Sequence, residues 1–110
     1  MRIHLVKEST IRDYMNEQSG SNLSFNEWLS KCKLANWQRP GDIKFTFPQA
    51  DLLGRGSNRV IFNIAGNRYR MICKYAFGES EVHLFICWIG THDEYDILCR
   101  QGNQYIVSNY

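Results

Sequence analysis

The 110-residue sequence has no apolar run of the roughly 18 or more residues that a membrane helix needs. It also lacks the basic start, apolar core and cleavage site of a secretory signal. The expectation from both absences is a cytoplasmic protein that meets no membrane. Its four cysteines, at 32, 73, 87 and 99, form no C-x-x-C pair and no tight group with histidine. Structural zinc sites use such spacings, so neither a metal nor another cofactor is expected, and Cys73 and Cys87 read as buried free thiols. Net charge is small: a formal +2 does not by itself announce a nucleic-acid binder, and only the distribution of charge can. Repeats, low-complexity tracts and linkers are absent too, so residues 1–110 are expected to form one domain.

What the chain does have is a core-forming composition, 44% hydrophobic and 14% aromatic. Met1 to Val6 reads as a short opening strand. Ser9-Thr10 can cap a helix from Ile11 to about Gln18, and Gly20-Ser21-Asn22 breaks it. Ser24 with Glu27 matches a capping box, which opens a second helix through about Asn36. There Phe25, Trp28, Leu29, Cys32 and Ala35 follow amphipathic spacing. Ile43, Phe45 and Phe47 alternate with Asp42, Lys44 and Thr46, so Asp42 to Phe47 reads as a short extended segment stopped by Pro48. Strands over Arg59–Ile64, Arg68–Phe77 and Val82–Ile89 follow, joined by turns at Ala65-Gly66-Asn67 and Gly78-Glu79-Ser80. The tail around Tyr105-Ile106-Val107 reads as a weak last strand or a loose end. The pattern predicts an α+β fold, with an N-terminal strand and a two-helix hairpin packed on a mainly antiparallel sheet, and a short C-terminal helix.

Cations gather where carboxylates are missing. Arg55, Arg59, Arg68, Arg70 and Lys74 fall in a stretch with no Asp or Glu. The two-residue period of a strand places Arg68, Arg70, Ile72 and Lys74 on one face. Unpaired charges make a poor core, so this face suits phosphates. The next strand is apolar on both sides except for His83, which reads as a core histidine, as does His4. It runs into Gly90-Thr91-His92-Asp93-Glu94-Tyr95-Asp96, where Thr91 and Glu94 match a capping box. On that helical turn His92 and Tyr95 are neighbours. Trp28, Trp37 and Trp88 sit at periodic positions that favour packing over base stacking.

G-N-R-Y-R at 66–70, the hydrophobic strand after it, and I-G-T-H-D-E-Y-D at 89–96 together resemble the HigB-type toxins of bacterial toxin–antitoxin pairs, within the RelE/ParE superfamily. Asp42–Pro48 and Val60–Ile64 fit that pattern as well. The resemblance implies a RelE-like fold and an mRNA interferase: a metal-independent endoribonuclease acting on mRNA, largely in the 30S decoding site of the ribosome. The attacking group would be the RNA's own 2′-hydroxyl, leaving a 2′,3′-cyclic phosphate and a 5′-hydroxyl. Matched residue by residue, Arg70 takes the place of the family's strand arginine. His92 and Tyr95 fit T-H-x-E-Y, and Lys44 fits the basic position ahead of F-x-F-P. Arg68, Lys74 and Arg59 are then RNA or phosphate contacts. The implied partner is a HigA-like helix-turn-helix antitoxin, and operator DNA is met only through the joint complex. Two other readings stay open: a gyrase-inhibiting toxin of the ParE kind, and a catalytically inert co-repressor or interaction module.

Overall fold

The computed structural model describes residues 1–110. Its elements in order are β1 (Arg2–Val6), α1 (Ser9–Glu17), α2 (Asn22–Leu34), α3 (Ile43–Thr46), β2 (Asp51–Leu53), β3 (Arg59–Ile64), β4 (Tyr69–Phe77), β5 (Glu81–Thr91) and α4 (His92–Arg100). Five strands make one sheet in the order β1-β5-β4-β3-β2. β1 runs parallel to β5 and the remaining pairs are antiparallel. This is the α+β arrangement that the sequence predicts. No helix is long and apolar enough to cross a membrane.

Strand alternation sorts the sheet into two faces. On one, Val60, Phe62, Ile64, Met71, Cys73, Leu84, Ile86 and Ile89 bury against Ile11 and Met15 of α1 and Phe25, Trp28, Leu29 and Cys32 of α2. The second face holds a smaller core of Ile61, Ile72, Cys87 and Trp88, covered by Tyr95 and Leu98 of α4 and by Val107. A β-bulge makes this second core. The register passes from Ile72 opposite Trp88 to Cys73 opposite Ile86, which leaves Cys87 as an extra residue. Alternation therefore slips, and Cys87 and Trp88 both turn to the second face.

Several expected details differ. Asp42 to Phe47 is not extended: Pro40–Asp42 form a 3-10 turn and Ile43–Thr46 a short helix. The Asp42 carboxylate accepts from the Gln38 and Arg39 backbone N–H groups and fixes the turn. Ile43 is fully buried while Phe45 is 85% exposed, so the inward pair is Ile43 with Phe47, four apart. Phe47 stacks on Trp28 and meets Trp37 and Phe62 edge-on. Apolar residues at i, i+2 and i+4 fit a strand, but i and i+4 also fit a helix, and packing chose the helix. α2 begins at Asn22 rather than after Ser24, and no side chain caps it. The tail makes a 3-10 turn at Asn103–Tyr105, and the Asn109 N–H donates to the Cys87 carbonyl instead of forming a strand. His83 is half-exposed, with Nε2 3.1 Å from Glu81 Oε1, and His4 is exposed; neither is a core histidine.

Burial of the helix-side core has a titration consequence. Desolvation pushes the Cys32 thiol from 9.0 up to about 12, with Glu8 adding to it. Desolvation, then Glu94, pushes the Tyr14 phenol from 10.0 up to about 12. Above pH 9 the unfolded chain gives up these protons before the folded chain does. Stability is therefore fully present below pH 9 and is lost as pH rises toward 12. Urea midpoints should fall steadily over that range, and Cys32→Ala and Tyr14→Phe should each make the fall shallower. An unchanged slope in both variants would show that these groups do not govern alkaline stability.

Candidate functional site

The second face, at the end where β5 becomes α4, brings Arg70 and Tyr95 together. Arg70 lies opposite Asn63 on β3 and opposite Gly90 on β5. Its guanidinium carbon is 5.6 Å from the centre of the Tyr95 ring, a cation–π contact. Its Nη1 donates to Asn67 Oδ1 at 2.8 Å, so the β3–β4 turn orients it. Both partners are neutral, and no carboxylate forms a salt bridge with it. A guanidinium held in this way keeps its charge and most of its donors for an anion.

Tyr95 is itself held by Trp88, the two rings being 6.1 Å apart and tilted by 50°. Burial raises its pKa well above the ordinary 10.0, and a side-chain hydrogen bond with Cys99 and the nearby Asp51 charge add to the rise, against a lowering by Arg70. It is a neutral phenol at physiological pH, able to donate a hydrogen bond but not to act as a ready base. Gly90 makes room for the Trp88 indole: a Cβ there would lie 2.5 Å from two of its ring carbons.

The capping box predicted at Thr91 is present. Thr91 Oγ1 accepts from the Glu94 N–H at 3.3 Å, and the Thr91 N–H donates to Glu94 Oε1 at 2.8 Å. It sets the first turn of α4, which carries His92. The His92 N–H donates to the Arg68 carbonyl, which ties the helix start to the β3–β4 turn. His92 Nδ1 lies 3.3 Å from Asp96 Oδ2 and 3.9 Å from Asp93 Oδ1. Ligand atoms of these three residues fall within 4.8 Å of one another, a spacing that a metal ion could use. Asp93 is also explained without one, because the first turn of a helix favours negative charge.

The other expected residues are dispersed. Arg68 belongs to the β3–β4 turn, not to β4, so the run of cations on one strand face is shorter than the sequence suggests. Lys74 shares the face of Arg70, but buried Ile72 lies between them, four residues or about 13 Å along the strand. Lys44 sits exposed on α3, whose anchor Ile43 belongs to the helix-side core, and no contact ties it to Arg70, His92 or Tyr95. Arg59 is only 7% exposed, and its Nη1 donates to the carbonyls of Val107 and Gln104. It fastens the C-terminal tail, which leaves little of it exposed for the phosphate contact expected of it. Asn67, Trp88 and Gly90 were not expected at the site. Their only signal in the sequence was position: Asn67 in the turn before the strand, Gly90 across from Arg70, Trp88 two residues before Gly90.

A family model described as HigB toxin, the RelE-like toxic component of a toxin–antitoxin system, matches residues 21–98. The chain belongs to the HigB toxin family. Comparison with curated proteins gives no match. As a RelE-like toxin of a toxin–antitoxin system, it has an antitoxin for its partner. The matched span takes in the whole of the arrangement around Arg70, from the β3–β4 turn to Leu98 of α4.

If Gly90 is what admits the Trp88 ring, Gly90→Ala in this HigB toxin must displace that ring and loosen Tyr95. Overpacking of this kind costs about 1–3 kcal/mol. The melting temperature should drop by roughly 4–8 °C per kcal/mol, with a weakened near-ultraviolet aromatic signal. Gly20→Ala is the control, because nothing lies within 4 Å of the added carbon. Equal melting temperatures for the two variants would rule out the close fit.

Proposed function

We propose that this toxin, acting as a single domain, is an endoribonuclease that cleaves mRNA during translation. The observation that carries the reading is the unneutralised Arg70 guanidinium, held by Asn67 and Tyr95 beside a helix start that carries His92. In this scheme the 2′-hydroxyl attacks the adjacent phosphorus, and His92 exchanges protons with the reacting oxygens. Arg70 binds the phosphate oxygens as negative charge builds on them. Tyr95, kept protonated by its surroundings, donates a hydrogen bond to the same group or stacks on a base. The bond to the 5′-oxygen breaks, that oxygen takes up a proton, and the products are a 2′,3′-cyclic phosphate and a 5′-hydroxyl. The scheme calls on no metal ion.

Arg68 and Lys74, exposed on either side of Arg70, serve as contacts to the RNA backbone or the ribosome. Lys44 is better placed for such an outer contact than for the reaction itself, given its position on α3. The antitoxin of this reading is a HigA-like helix-turn-helix protein that represses the shared operon.

Mapping 5′ ends of cellular mRNA after a short induction tests the reading. The wild type should create new ends inside translated frames, and blocking initiation should abolish them. Removing one preorganised charge donor costs about 10²–10³ in rate, so Arg70→Ala should leave no new ends within the same interval while keeping its melting temperature. His92→Gln should behave likewise. Growth arrest without new mRNA ends would defeat the nuclease reading and direct attention to gyrase. An absence of any arrest would leave a co-repressor role.

A further inference from the structure

β1 is an edge strand with its outer side open. Its ladder runs only to β5, and the backbone groups of Ile3 to Val6 that point away from β5 have no hydrogen-bond partner in the protein. Only the start of the edge is closed: the Trp37 N–H donates to the Met1 carbonyl, and the chain's amino terminus donates to the Trp37 carbonyl. Charged Arg2 and Lys7 flank this edge, but no proline, bulge or covering segment closes it between them. The edge at the opposite side of the sheet is only three residues long, at Asp51–Leu53. Beside the open part of β1 lies a cleft of about 270 Å³, bounded by Ile3, Leu5 and Glu8 on one side and by Leu29, Cys32 and Lys33 of α2 on the other.

We infer that this edge and cleft are the seat of the antitoxin, which adds an extended segment to β1 and lays alternate aliphatic side chains into the cleft. The backbone ladder would supply the unpaired groups with partners, and the two-residue period of the segment would set which side chains enter. Charge around the cleft selects the kind of segment. Arg2 Nη1 donates to the Lys33 carbonyl, Arg12 bonds Glu8 at 2.7 Å, and Lys33 lies 4.0 Å from the same carboxylate. Of these, Lys33 and Glu8 line the cleft, while Arg2 and Arg12 stand just outside it, so the surround carries more positive than negative charge, which suits an apolar segment flanked by Asp or Glu. A second copy of this chain fits less well, since self-pairing would bring two such cationic borders together.

The inference rests on the antitoxin that the family implies and not on the nuclease reading, so loss of mRNA cleavage would leave it standing. The test is hydrogen–deuterium exchange on the toxin, alone and saturated with its cognate antitoxin. Amides of Ile3–Val6 should become protected in the complex. Arg2→Glu and Lys33→Glu, both on exposed side chains, should each weaken binding about tenfold and slow association while the variants stay folded, whereas Arg70→Ala should bind normally. Binding that leaves the β1 amides unprotected would overturn the inference, as would no antitoxin binding at all. Protection that appears in the toxin alone as its concentration rises would assign the edge to a second copy instead.

Discussion

The site depends on the single extra residue at Cys87. Without the bulge, strict alternation along β5 would place Trp88 and Cys87 on opposite faces, and the ring that holds Tyr95 would leave the second face. With it, Cys87 and Trp88 join Ile61 and Ile72 in a small core that Tyr95 and Leu98 can cover. α4 is a nine-residue helix with no fully buried residue of its own. Helices that short hold their place through packing and caps more than through propensity. The bulge supplies the packing and Thr91 the cap, and between them they fix where His92 and Tyr95 stand relative to β4.

β4 serves both cores and the site at once. Met71 and Cys73 face the helices, Ile72 faces α4, and Arg70 lies two positions before Ile72 on the same side. Burying a side chain such as Ile72 contributes about 1.5–3 kcal/mol, whereas burying an unpaired guanidinium costs more than that. The boundary between core and site falls between these two residues for that reason. Arg59, at the other end of the face, shows the alternative: it is buried because tail carbonyls receive its Nη1. Two arginines on adjacent strands thus have opposite fates, decided by whether the chain returns to meet them.

That difference marks what the sequence could disclose. Periodicity, turn residues and the Thr91–Glu94 pair were enough for β1, β3, β4, β5, both long helices and the start of α4, because each is set by neighbours along the chain; the three-residue edge strand Asp51–Leu53 reads as loop and is a strand only through its pairing with β3. Spacing and family likeness together pointed to Arg70, His92 and Tyr95, and the fold brings Arg70 against Tyr95. Arg59 was not, since its partners Gln104 and Val107 lie more than forty residues away and offer only backbone oxygen. α3 was misread because Ile43, Phe45 and Phe47 satisfy two periods at once, and the aromatic group of Trp28, Trp37 and Phe62 that decides between them is assembled only in the fold. Gly90 and Trp88 escaped for a related reason: their closeness follows from the bulge, and a bulge has no signature in a run of apolar residues.

Charge is partitioned across the site in a way that bears on its chemistry. The carboxylates Asp93 and Asp96 stand by His92, while Arg70 has an amide and a phenol for neighbours. Exchanging these environments would disable both groups. An arginine beside Asp96 would spend its charge on that carboxylate, and desolvating the pair would gain little. A histidine against the Tyr95 ring would lose the acceptor that orients Nδ1. The raised pKa of Tyr95 completes the division, because a phenolate at that position would pair with Arg70 as a carboxylate does. Two neutral partners, an amide and a phenol, therefore leave the cation free to meet an anion from outside.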